Sequence, residues 1–140
     1  MTTAIDTNVI TALWNVDDAL NHQAQGALDA VFGRGKLVVS GVVYAELLAA
    51  PLRTEHFVDQ FLEEAGIAVE WEINENILRT AGVAFQSYAE QRRKQKGQQP
   101  RRILADFLIG AHAAVNGHRL LTLDGKHYRA AFPKLELVEV

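Results

Sequence analysis

Short apolar runs alternate with stretches of helical spacing along this chain, and that alternation restricts the possible folds more than any other feature. The expected strands are Thr3–Ile5, Lys36–Val39, Ile67–Trp71, Arg119–Leu123 and Leu135–Val138. Between them lie expected helices at Val9–Trp14, Asp18–Phe32, Gly41–Ala50, Thr54–Ala65, Asn74–Lys94, Ile103–Asn116 and Lys126–Phe132. In Asp18–Phe32, for example, Leu20, Ala24, Ala27, Leu28 and Val31 share one helix face. Gly33 and Gly35 then punctuate the chain. Ser40 is placed to cap the next helix and Pro51 to stop it. Strands joined through helices predict a parallel sheet covered on both faces.

The bulk properties agree with one α/β domain over residues 1–140. The length suits a single core. Net charge is −3, so no global basic signature marks a nucleic-acid binder. Cysteine is absent, which excludes disulfides, thiolate nucleophiles and Cys-ligated zinc. No signal-peptide pattern opens the chain and no apolar run is long enough to span a membrane. A cytoplasmic location is the expectation.

Four of the 17 acids sit alone in apolar surroundings. Asp6 is the only charge in the first sixteen residues, and Glu46 the only one between Leu37 and Leu52. Asp106 is the only acid from Ile103 to His118, and Asp124 the only charge from Leu120 to Gly125. Glu46 shares a helical stripe with Val42, Ala45 and Ala49, so it is expected to point with apolar groups. Asp6 and Asp124 end expected parallel strands, at the carboxyl edge where open α/β sheets bind ligands. Glu46 lies near the same edge. Asp106 opens a helix, on a face with Gly110 and Ala113 that leaves room beside the carboxylate. Clustered carboxylates repel one another without a cation, and an all-oxygen set suits Mg²⁺ or Mn²⁺. Such ions activate water and stabilise charge on a phosphodiester. The bland alternative for each acid is a helix cap or a salt-bridge partner.

Four segments, IDTNVITAL, VVYAEL, ADFLIGAHA and LLTLD, resemble in order the motifs of PIN-domain ribonucleases, most closely the VapC-type toxins of bacterial toxin–antitoxin pairs. They span Ile5 to Asp124. The resemblance implies a PIN-like three-layer fold with a central parallel five-stranded sheet, and a metal-dependent endoribonuclease using Mg²⁺ or Mn²⁺. It makes Asp6, Asp106 and Asp124 metal ligands, with Glu46 a further ligand or the water-orienting base. Thr7, Asn8 and Thr122 fall where the family has polar residues that orient the acids. RNA is the implied substrate, a small antitoxin protein the implied partner, and homodimerisation is expected. The helices at Thr54–Ala65 and Asn74–Lys94 are the candidate contact surface. Many relatives carry a further acid before an aromatic residue where this chain has His127-Tyr128, so Asp124 is the only acid there.

Six of the 14 basic residues cluster before the Asp106 helix: Arg92, Arg93, Lys94, Lys96, Arg101 and Arg102. They are candidates for RNA phosphates, for an acidic partner peptide, or for a solvated loop. No HExxH is present and no two histidines are four apart, so a zinc enzyme is not expected. His112 reads as a packing or interface residue rather than a general base, because six positions put it on a different helix face from Asp106. GRGK at Gly33–Lys36 precedes a strand rather than following one, and is read as a turn. Two rival functions stay open. One is a PIN-like module that binds without cutting. The other is an aspartyl phosphotransferase of haloacid dehalogenase type, although Asn8 stands where such enzymes carry a second Asp.

Overall fold

The computed structural model describes residues 1–95 and 102–139. Strands β1 (Thr3–Ile5), β2 (Leu37–Ser40), β3 (Ile67–Glu70), β4 (Arg119–Thr122) and β5 (Leu137–Glu139) form one sheet in the order β3-β2-β1-β4-β5, with every pairing parallel. The chain builds outward from β1 to β2 and β3 on one side, then returns to place β4 and β5 on the other. The order therefore reverses between β1 and β4, which opens a crevice at their carboxyl ends.

Among the described residues seven helices fill the connections: α1 (Thr7–Trp14), α2 (Asn21–Val31), α3 (Gly41–Ala49), α4 (Glu55–Glu64), α5 (Glu75–Lys94), α6 (Leu104–Asn116) and α7 (Lys126–Ala131). All of β1 and β2 is buried, as is Leu120 to Thr122 of β4. Strands buried on both faces read as continuous apolar runs, which is why they stand out in the sequence. The edge strand β3 buries only Ile67.

The element boundaries differ from the sequence reading where side chains cap the backbone. Helix α1 starts two residues early because the Asp6 carboxylate accepts from the Thr7 N–H. Helix α2 starts late. Asn15 accepts from the Asp17 N–H and Asp18 from the Leu20 N–H, so these side chains hold the backbone in turns. Strand β5 begins at Leu137 because the segment after Pro133 turns, with the Leu135 N–H bonded to the Phe132 carbonyl. Ser40 ends β2 and also caps α3 through the Val43 N–H. No helix among the described residues is long and apolar enough to cross a membrane.

Candidate functional site

Asp6 leaves the central strand at the reversal point and is 5% exposed. Its Oδ1 accepts from the Thr7 N–H at 2.8 Å. Its Oδ2 accepts from the Thr122 hydroxyl at 2.8 Å and the Tyr128 hydroxyl at 3.0 Å. Burial lifts its pKa from 3.8 to about 6, against these three donors, and the nearby charge of Asp106 adds to the rise. Among the described residues no ion pair reaches Asp6.

Glu46 is tied to the same centre by Thr7, whose hydroxyl donates to Oε1 at 2.6 Å. Its place on α3 corrects the expectation from the helical stripe. The core face of α3 is Val43 and Leu47, while Ala45 and Ala49 are exposed and Glu46 is half-buried. The stripe misleads because nearly every residue of this helix is apolar, so periodicity selects no face.

Asp106 occupies the first turn of α6, where its Oδ2 accepts from the Ile103 N–H at 3.1 Å. A helix-capping role is thus real for this acid, and it leaves Oδ1 for another partner. Gly110, one turn on, does not make room beside the carboxylate as its position suggests. Its bare Cα accommodates the Phe132 and Tyr128 rings.

Asp124 follows β4. Its N–H donates to the Thr122 hydroxyl at 3.1 Å, and its Oδ2 pairs with the Arg102 guanidinium. Burial pushes the Asp124 carboxyl up, but Arg102 outweighs it and the pKa lies below the ordinary value. Thr122 therefore links Asp6 to Asp124 as Thr7 links Asp6 to Glu46. Asn8 acts one step further away: it donates weakly to Thr122 at 3.4 Å and accepts from the Leu123 N–H at 3.2 Å. It fixes the turn that presents Asp124 rather than a carboxylate itself.

Of the basic candidates, Lys96 and Arg101 lie outside the described residues. Arg92, Arg93 and Lys94 form the last turn of α5, where cations complement the helix dipole. Arg92 and Arg102 line an open cavity of about 880 Å³, together with Asp124, Lys126 and His127. No hydrogen-bond partner among the described residues meets either ring nitrogen of His127, and burial holds its pKa below the ordinary value.

Tyr128, whose hydroxyl donates to Asp6, has no role in the sequence reading. It is 1% exposed, and burial beside Asp6 pushes its phenol far above the ordinary value, so it remains a donor. The only clue was an aromatic residue shortly after LLTLD. Removing its hydroxyl takes one donor from the ionised Asp6 and leaves the ring packing in place. Tyr128→Phe is expected to weaken Mn²⁺ binding about 10- to 100-fold, as lost supporting contacts do, with a far smaller change in Tm. Calorimetry and thermal melting on the same samples check both.

The donor chemistry suits a hard divalent ion, but no three of the four acids bring their oxygens within 4.8 Å of one another, so an ion would have to draw them together. The donor set consists of carboxylate oxygens, and the most buried of them has hydroxyl and amide partners but no cation. The chain belongs to the PIN domain family, whose match covers residues 3–133. Nuclease activity, generally with divalent metals, is a property of that family. No curated protein matches the sequence. Among solved structures, VapBC2 from Rickettsia felis bound to a promoter DNA fragment has a TM-score of 0.66 at 20% identity, covering 100% of this chain and 99% of its own. VapBC-1 from nontypeable Haemophilus influenzae has a TM-score of 0.67 at 20% identity, with 99% and 98% covered. VapC20 from Mycobacterium tuberculosis, a toxin that cleaves the sarcin-ricin loop, has a TM-score of 0.63 at 17% identity, with 91% and 94% covered. At these identities the likeness is one of fold.

Proposed function

We propose that residues 1–140 form a single PIN-like domain acting as a Mg²⁺- or Mn²⁺-dependent endoribonuclease, the toxin of a type II toxin–antitoxin pair. The observation that carries this reading is Asp6, a buried carboxylate with a raised pKa, joined through Thr7 and Thr122 to two other acids. Asp6, Asp106 and Asp124 would hold the ion. When bound, the ion supplies positive charge for the phosphodiester and lowers the pKa of water. Thr122 and Tyr128 hold the Asp6 carboxylate in one orientation. Glu46, fixed at Oε1 by Thr7, orients the attacking water and takes its proton. Arg102 releases Asp124 and turns to an RNA phosphate in the cavity that these two residues line.

Water attack in line on phosphorus, with the P–O3′ bond breaking and the departing 3′-oxygen taking a proton from solvent, leaves a 5′-phosphate and a 3′-hydroxyl, without help from the RNA 2′-hydroxyl. End-group analysis of cleaved RNA is expected to find those ends. A 2′,3′-cyclic phosphate would contradict the scheme. Charge reversal at Arg101 and Arg102 is expected to weaken RNA binding and to lower the slope of log affinity against log salt by about 1 per residue. Filter binding across a salt series measures both quantities, and an unchanged affinity and slope would contradict RNA contact by these residues.

The expected partners are a small antitoxin protein and a second copy of this chain, and the expected location is the cytoplasm. The related solved structures support the first, since they include VapBC toxin–antitoxin assemblies. The second reading, a silent binding module, is favoured by the Arg102–Asp124 pair, which occupies one of the acids, and by the spacing of the acids, no three of which come within 4.8 Å of one another. The phosphotransferase reading is weakened because Asn8 pins Thr122 and Leu123. Failure to trap beryllium fluoride on Asp6 would set it aside.

A further inference from the structure

We propose that Glu70, His112 and His118 form a second metal site, selective for Zn²⁺-class ions and separate from the acid cluster. These residues come from the end of β3, the middle of α6 and the turn between α6 and β4. Gly117 ends α6 in the left-handed conformation, φ 70°, which favours glycine. The chain reverses there, and the His118 N–H bonds back to the Ala113 carbonyl at 2.9 Å. The reversal lays the His118 ring beside that of His112, with centroids 5.5 Å apart.

Both Nε2 atoms converge on one oxygen. His112 Nε2 lies 2.9 Å and His118 Nε2 2.8 Å from Glu70 Oε1. All the donor atoms fall within 4.8 Å of one another, and among the described residues this is the one such grouping of His, Asp and Glu. A four-coordinate ion holding N and O donors at about 2.1 Å needs them about 3.4 Å apart. The present spacing requires small side-chain adjustments and no backbone change.

The protonation states suit a metal. Burial holds the pKa of His112 below the ordinary value despite Glu70, which favours the neutral imidazole that ligates. Burial pushes Glu70 up, but the two histidines outweigh it and keep the carboxylate ionised. His112 is 1% exposed and so placed by the fold, whereas the Glu70 side chain is 30% exposed. That opening leaves a path for the ion and a free position for water. Two imidazoles and one carboxylate prefer zinc to magnesium, the reverse of the all-carboxylate cluster.

The two sites meet on one helix. His112 is six residues beyond Asp106 on α6, about 9 Å along the axis. Zinc at Glu70, His112 and His118 would tether the edge strand β3 to the helix that carries Asp106. The site's role is structural in this reading, and it stands whether or not the acid cluster cleaves RNA.

The test is calorimetric titration of the metal-stripped full chain with Zn²⁺, and with Co²⁺ while recording the visible spectrum. Wild type is expected to bind one equivalent through these residues, with a rise in Tm. His118→Ala and Glu70→Gln should each weaken that equivalent at least about 100-fold, beyond the loss typical of supporting residues. Asp6→Asn should retain it. Should His118→Ala fail to fold, Glu70→Gln decides, because its amide keeps the size and an acceptor oxygen. The proposal is overturned if folded wild type binds no zinc, or if folded Glu70→Gln binds it unchanged. It is equally overturned if Asp6→Asn removes the same equivalent.

Discussion

Asp6→Asn is expected to raise the stability of the metal-free protein by about 3 kcal/mol at pH 7 while abolishing RNA cleavage. The pKa of Asp6 rises from 3.8 unfolded to about 6 folded, roughly two units at about 1.4 kcal/mol each. The sign follows from proton linkage. Below pH 3.8 both states hold the proton and Asp6 adds no penalty. Between 3.8 and 6 the unfolded chain ionises first, so the fold loses stability as pH rises. Above 6 the full penalty applies. The Tm gap between Asp6→Asn and wild type should therefore be wide at pH 7 and narrow as pH falls towards 4. Saturating Mn²⁺ should close it at pH 7 by stabilising wild type alone. Thermal melts across pH, with and without metal, measure both effects. A variant less stable than wild type at pH 7 would show that the buried carboxylate is not strained.

Gly110→Val is expected to cost about 3 kcal/mol, or roughly 10 °C in Tm. A Cβ at this position would clash with Phe132 Cε2 and lie 2.8 Å from Cδ2 and 3.1 Å from Tyr128 Cδ1. Both rings are buried and cannot swing into solvent. Because Tyr128 also donates to Asp6, the displacement should reach the acid cluster and weaken Mn²⁺ binding as well. Phe132→Leu in the same chain should recover part of the stability by returning space. Equal stability of Gly110→Val and wild type would mean that the rings do not rest on this glycine.

Much of this architecture is visible in the sequence because its signals are local. Strands buried on both faces appear as apolar runs, and an acid stranded in such a run, as Asp6 and Asp124 are, marks the strand end at the sheet's edge. The parts not visible there depend on tertiary contact. Glu46 could not be placed on its helix from periodicity, since α3 is apolar on almost every side. Tyr128 has no signature, because its meaning comes from the Asp6 carboxylate, far away in sequence. Glu70, His112 and His118 join three elements, and no spacing rule links them. Gly110 was legible as a space, but the space belongs to two rings from α7 and the residue after it.

The most direct measurement is Mn²⁺ titration by calorimetry, followed by RNA cleavage in the same samples with and without EDTA, for wild type and Asp6→Asn. The ion's share of transition-state stabilisation is several kcal/mol, so its loss should slow cleavage by at least about 10³-fold. Wild type should bind metal and cut RNA only with metal, and Asp6→Asn should lose both together. Cleavage that persists in EDTA, or in folded Asp6→Asn, would contradict the account.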